Sequence, residues 1–151
     1  MTTTVLAAAI VLTGLSAGLF ATFSYAVMPG LRRADDATFV AAMRGVNVAI
    51  LNPALAVVLG GSVVMTAAAL VAGWNEPTRP WVVAGLVLNV AGGWVVTGLR
   101  NVPRNEALEA GTGDPAMLRE AFEGGWVTWN HVRSVLTTAA FVCLVVGALQ
   151  R

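Results

Sequence analysis

Apolar residues run almost unbroken near positions 5–27, 53–73, 80–99 and 132–149. Each stretch is close to the roughly 20 helical residues that cross a bilayer core. The pattern predicts an all-α membrane protein, a four-helix transmembrane bundle formed by one domain over 1–151, with short interfacial helices in the two larger loops. A polar side chain inside lipid must find a partner or line a cavity. The few polar residues in and beside the spans are therefore the functional candidates, and most of them gather at one end.

Composition supports the membrane reading: 57% of residues are hydrophobic, 11% are charged and mean hydropathy is +0.75. A net charge of +1 without a basic tract lacks the electrostatic footprint of nucleic-acid binding, which is excluded as a function class. The single cysteine, Cys143, has no disulfide partner within the chain. One Cys and one His do not supply a multi-ligand zinc, copper or iron–sulfur site, and all eight acids fall outside the apolar runs. No metal site is therefore expected. No Lys or Arg precedes the first run, which is longer than that of a cleaved signal peptide, so it is read as the first span.

Orientation follows from the arginines, because the chain has no lysine. Arg32, Arg33 and Arg44 follow the first span; Arg100, Arg104, Arg119 and Arg133 follow the third; Arg79 and Arg151 fall on the opposite side. This bias places loops 28–46 and 100–131 in the cytoplasm and both termini outside. Trp74 and Trp81 flank the short outer loop 73–80 at interfacial depth.

Small residues mark helix contacts: Gly14 and Gly18 in the first span, and Gly85, Asn89, Gly93 and Thr97 at four-residue spacing in the third. Asp35 and Asp36 can cap an interfacial helix whose Phe39, Met43 and Val46 share a face. Asn52-Pro53 then interrupts that helix. Either Pro53 leaves the Ala49 carbonyl free beside Asn47 and Asn52, or it simply starts the second span. In the third loop Asp114-Pro115 opens a helix over 117–123 that Gly124-Gly125 is expected to end. Trp126, Asn130, Arg133 or Ser134, and Thr137 then form an aromatic and polar stripe at helical spacing.

Tyr25 with Pro29, Asn47 with Pro53, the segment Asn101-Val102-Pro103-Arg104-Asn105-Glu106-Ala107-Leu108, and Trp126 with Asn130 and Arg133 together resemble the anthrone oxygenase family. Its members are small four-span membrane proteins, many of them bacterial, which implies a multi-pass protein of a bacterial plasma membrane. The resemblance implies oxidation of an anthrone or similar polycyclic phenolic substrate by molecular oxygen, without metal and with no cofactor.

That chemistry needs a base, an oxyanion partner and an apolar pocket, since the substrate carbanion can itself donate an electron to oxygen. His131 is the one side chain of a type that titrates near neutrality, and is the expected base. Arg133, Asn130, Asn101 and Asn105 are expected to meet the enolate oxygen, Asn47 and Asn52 to contribute to binding, and Trp126 and Tyr25 to lie against the rings. The plainer reading is structural: Arg133 pairs with Glu106, Glu120 or Glu123, and the asparagines tie helix ends together. On that reading the chain is a non-enzymatic membrane module that binds a quinone, a lipid or a partner membrane protein, and oligomerisation stays open in either case.

Overall fold

The computed structural model describes residues 3–150, so Arg151, counted above for orientation, lies outside the described residues. The first apolar run forms α1 (Thr3–Thr22), which widens into a π-helical segment, π1 (Phe23–Val27), and closes with the turn α2 (Met28–Leu31). The second forms α4 (Pro53–Ala72). The third forms α5 (Arg79–Asn89), a long π-helical segment π2 (Val90–Asn101) and α6 (Val102–Ala110), while the fourth lies within α7 (Pro115–Leu149). Four continuous helical rods result, each long and apolar enough to cross a membrane, as in a multi-pass membrane protein. The fifth piece, α3 (Asp36–Ala49), is the amphipathic helix predicted between the first two spans.

Rod length explains the division of the bundle. The 20 residues of α4 make about 30 Å of helix, the thickness of a bilayer core. The 35 residues of α7 make about 52 Å, so α7 overshoots the core, as does the 32-residue rod Arg79–Ala110. The surplus of both rods projects at the same end, where α3 packs against it. There Phe23, Met28, Phe39, Met43, Phe122 and Trp126 form the larger apolar cluster. A smaller cluster of Leu6, Ala9, Ala69, Val82 and Leu144 fills the opposite end.

Between these clusters the centre of the bundle is small and polar. Thr13, Ser16, Ser62, Thr66, Asn89 and Thr137 are all buried. The Asn89 carboxamide donates to Ser62 Oγ at 2.9 Å, giving that mid-membrane amide the partner it requires. Close approach of the third rod to α7 is set at Gly92, where a Cβ would stand 2.8 Å from Leu136 Cβ and 3.2 Å from the Arg133 carbonyl. Gly14 lies beneath Phe141, whereas Gly18 faces open space, so only the first of that pair is a contact glycine.

Four-residue spacing drifts by about 40° per step around an α-helix. Widening into π2 offsets that drift, and Gly85, Asn89, Gly93 and Asn101 all remain buried. Asn52-Pro53 combines the two expectations for it. Pro53 opens α4, Asn52 Oδ1 accepts from the Leu55 N–H at 3.0 Å, and Asn52 Nδ2 donates to the Ala49 carbonyl at 2.9 Å. The carbonyl released by proline is thus satisfied by the capping residue itself.

Gly124-Gly125 does not end a helix; α7 runs straight through it. Burial of Phe122 and Trp126 on either side outweighs the intrinsic cost of two glycines, about 1 kcal/mol each. Gly125 also leaves room for the Arg104 guanidinium, whose Nε would lie 2.6 Å from a Cβ there. Of the acids expected beside Arg133, Glu123 is held by other arginines. Glu123 accepts from Arg32 Nε and Arg119 Nε, both at 2.8 Å, and Arg119 also pairs with Asp36 at 2.9 Å. Arg44 closes the C-terminal end of α6 by donating to the Leu108 and Gly111 carbonyls.

Candidate functional site

The two asparagines at the start of α6 hold Trp126 from both ends. Asn101 Nδ2 donates to the Trp126 carbonyl at 3.2 Å, and the Trp126 indole N–H donates to Asn105 Oδ1 at 2.7 Å. The indole is buried and stacks on Phe122 at 5.9 Å between centroids, with Phe23 at 5.6 Å. Because α6 follows directly from π2, this clamp fixes the end of the third rod to the middle of α7.

One turn along α7, Asn130 is fully buried and every hydrogen-bonding group of its carboxamide is used. Its Nδ2 donates to the Phe20 carbonyl at 3.1 Å and to Ser24 Oγ at 2.8 Å. Its Oδ1 accepts from Arg133 Nε at 3.2 Å and Nη2 at 2.6 Å. Arg133, 7% exposed, lays its guanidinium over the Phe20 ring at 4.0 Å and beside Trp126 at 5.5 Å. Its Nη1 donates to Thr97 Oγ1 at 3.3 Å. No carboxylate pairs with this cation among the described residues.

Arg133 lines a narrow cleft of about 90 Å³ with Asn47, Thr97, Asn105 and Trp126. Asn47 Nδ2 is buried there without a hydrogen-bond partner, and Asn101 Oδ1 is likewise unpartnered. Five of the candidate residues, Arg133, Asn130, Asn101, Asn105 and Trp126, are thus joined directly by hydrogen bonds or ring contacts, and Asn47 faces the same cleft. Asn52 is not among them: both ends of its carboxamide serve the start of α4.

His131 and Tyr25 lie elsewhere. Two residues along an α-helix is a rotation of about 200°, so His131 points away from Arg133. It lines an apolar groove of about 640 Å³ between the first rod and α7, and Tyr25, 71% exposed, lines the same groove. His131 Nδ1 lies 2.7 Å from the Val127 carbonyl, which makes Nδ1 the protonated nitrogen and leaves Nε2 as an acceptor. Ser24 and Ser134 also line the groove, with their hydroxyl oxygens 3.0 Å apart.

Ser134 belongs to the stripe read from the sequence and Ser24 was not singled out as a site residue, yet together they join the two regions. Ser24 Oγ accepts from Asn130, whose other end holds Arg133, and the Ser134 hydroxyl donates to the Asn130 carbonyl at 2.7 Å. A positive charge buried in the cleft is therefore connected by Asn130 to the polar floor of the groove, and such chains polarise one another. The four-residue interval from Phe20 to Ser24 was the available signal. Its meaning depends on π1, whose geometry turns both the Phe20 carbonyl and the Ser24 hydroxyl toward Asn130.

Among the described residues, no three His, Cys, Asp or Glu side chains gather closely enough to hold a metal ion. The arrangement offers an unpaired imidazole nitrogen and a phenol facing an apolar groove, with a buried cation behind its floor. It suits proton removal from a flat apolar molecule and stabilisation of the resulting anion.

A sequence model described as anthrone oxygenase matches residues 46–143, about two thirds of the chain. The match includes Asn47, the Asn101–Asn105 segment and the whole stripe from Trp126 to Thr137, and it begins after Tyr25. No curated protein and no solved structure matches the chain.

Proposed function

Because this chain belongs to the anthrone oxygenase family, we propose that it is a membrane-embedded oxygenase that oxidises an anthrone or similar polycyclic phenol with molecular oxygen. One observation carries this reading: His131 and Tyr25 approach from opposite walls of a single apolar groove of about 640 Å³ that a tricyclic molecule can enter. The arginine distribution supports placing the α3 and α6 end in the cytoplasm.

In this proposal the substrate lies flat along Val135, Ala139 and Val142, delivered from the bilayer in which it is soluble. His131 Nε2 takes a proton from the central methylene, leaving a carbanion delocalised onto the ketone oxygen. That oxygen is met by the Tyr25 hydroxyl and by the Ser24 hydroxyl, whose oxygen accepts from Asn130; Asn130 and Arg133 act as positioning residues. The carbanion passes one electron to oxygen, the radical pair combines into a carbon-bound peroxide, and this collapses to the new ketone. One oxygen atom stays in the product and the other leaves as water with the two methylene hydrogens, so carbon is oxidised and dioxygen reduced without another reductant.

Oxygen uptake by the purified protein in detergent, with a simple hydroxylated anthrone and a boiled control, tests the proposal. His131→Phe is expected to lower turnover by about 100-fold or more, in the range for loss of a general base. Its melting temperature should hold, because the ring is exposed and contacts its own helix. Equal turnover in the variant, or no uptake above the spontaneous rate from folded protein, would overturn the proposal and favour a ligand-binding module.

A further inference from the structure

Arg133 has five N–H donors, of which three are accounted for, by Asn130 twice and by Thr97 once. The cation is 7% exposed, no carboxylate pairs with it among the described residues, and the surface it presents lines the narrow cleft. Asn47, whose Nδ2 is buried and without a hydrogen-bond partner, lines the same cleft from α3. Asn105 contributes its amide from α6, its Oδ1 being taken by the Trp126 indole. The hydroxyl oxygen of Thr97 accepts from Arg133, which leaves its O–H as a further donor. Donors from four elements therefore converge on one small space with a single positive charge, and nothing acidic lines it. The complement of that lining is a ligand that only accepts hydrogen bonds and carries one negative charge.

Shape narrows the class further. At about 90 Å³ the cleft has the volume of roughly three waters, enough for a carboxylate head but not for a ring system. Its outer wall is Leu51, in the link before α4, with Leu55 and Leu59 in the first two turns of α4, and Leu51 is 79% exposed. α4 packs chiefly on α1 and α5, and the cleft is lined from π2 by Thr97 and from α4 by Leu55 and Leu59. That depth is the first two turns of a span, the edge of the apolar core, where an amphiphile carries its head group. We propose that the cleft binds the carboxylate of an amphiphilic monoanion of the fatty-acid type, its head on Arg133 and Asn47 and its chain along Leu51, Leu55 and Leu59. This site is separate from the groove that holds His131.

The test is titration of the full-length protein in non-ionic detergent with carboxyl-labelled dodecanoate, followed by NMR at a pH where the probe is ionised. Saturable binding is expected. Dodecanol should compete at least about tenfold more weakly, because charge-assisted bonds are lost. Asn47→Ala should weaken binding about 2- to 10-fold, the effect of one neutral donor, and Arg133→Gln should abolish it. His131→Phe should bind as the unaltered protein does, so failure of the oxygenase proposal leaves this one standing. Equal competition by dodecanol, or unchanged affinity in folded Asn47→Ala, would refute the site. Tighter binding of dodecyl phosphate would refute the carboxylate class.

Discussion

Asn130→Ala removes four hydrogen bonds at one buried point and leaves their partners in place. Two come from Arg133 to the one oxygen, Oδ1, and are counted together as one charge-assisted interaction of about 1.5–3 kcal/mol. The other two, to the Phe20 carbonyl and Ser24, join different rods, and such polar contacts between membrane helices average about 0.6 kcal/mol each. The sum is a loss of roughly 3–4 kcal/mol, before any repacking around the vacated side chain. Asn130→Asp separates the two halves of that figure. It keeps acceptors for Arg133 and loses the amide donors, so its expected loss is smaller, about 1–2 kcal/mol. The assay is reversible unfolding in mixed micelles by added dodecyl sulfate, followed by helical circular dichroism, with Arg133→Met as the partner in a double-mutant cycle. Coupling of about 1.5–3 kcal/mol between positions 130 and 133 is expected. A loss below about 1 kcal/mol for Asn130→Ala, or coupling indistinguishable from zero, would show that the arginine is satisfied by its aromatic neighbours instead.

Two further predictions come from the backbone. Gly92→Ala should destabilise by about 1–3 kcal/mol, the cost of overpacking, because its Cβ would meet Leu136 Cβ and the Arg133 carbonyl, neither of which can swing away. Gly124→Ala, with nothing within 4 Å of the new methyl, should stabilise α7 by up to about 1 kcal/mol, and the same unfolding assay reads both. Asp35 caps α3, and the Thr38 backbone N–H at 2.9 Å and hydroxyl at 2.8 Å hold its pKa below the ordinary 3.8. Its folded pKa being the lower one, the cap contributes above the ordinary value and is lost as pH falls through the folded value. Amide exchange in the first turn of α3 should accelerate below about pH 4, and Asp35→Asn should flatten that dependence; an identical profile in both proteins would remove Asp35 as the cause.

The four spans and the amphipathic α3 were legible because each depends on a local regularity. Apolar runs near the length of a bilayer core gave all four rods, and Asp35, Asn52-Pro53 and Asp114-Pro115 marked helix starts that the structure confirms. The grouping of Trp126, Asn130 and Arg133 was legible for the same reason, since steps of three and four residues share a helical face. His131 was separable from Arg133 on that rule as well, two residues being most of a half-turn apart. Gly124-Gly125 misled because helix propensity is a weak local term, and burial of Phe122 and Trp126 overrides it.

What the sequence by itself determined is therefore everything that repeats along one helix: span count, span length, the polar end, and which side chains travel together. Tertiary structure alone decided which of those faces meet. Asn130 reaches the Phe20 carbonyl across 110 residues of sequence, and Arg32 reaches Glu123 across 91. No periodicity encodes such pairs. They depend on where π1 and π2 widen the rods and on how closely Gly92 lets α7 approach, which sub-ångström packing between helices fixes and a one-dimensional pattern does not carry.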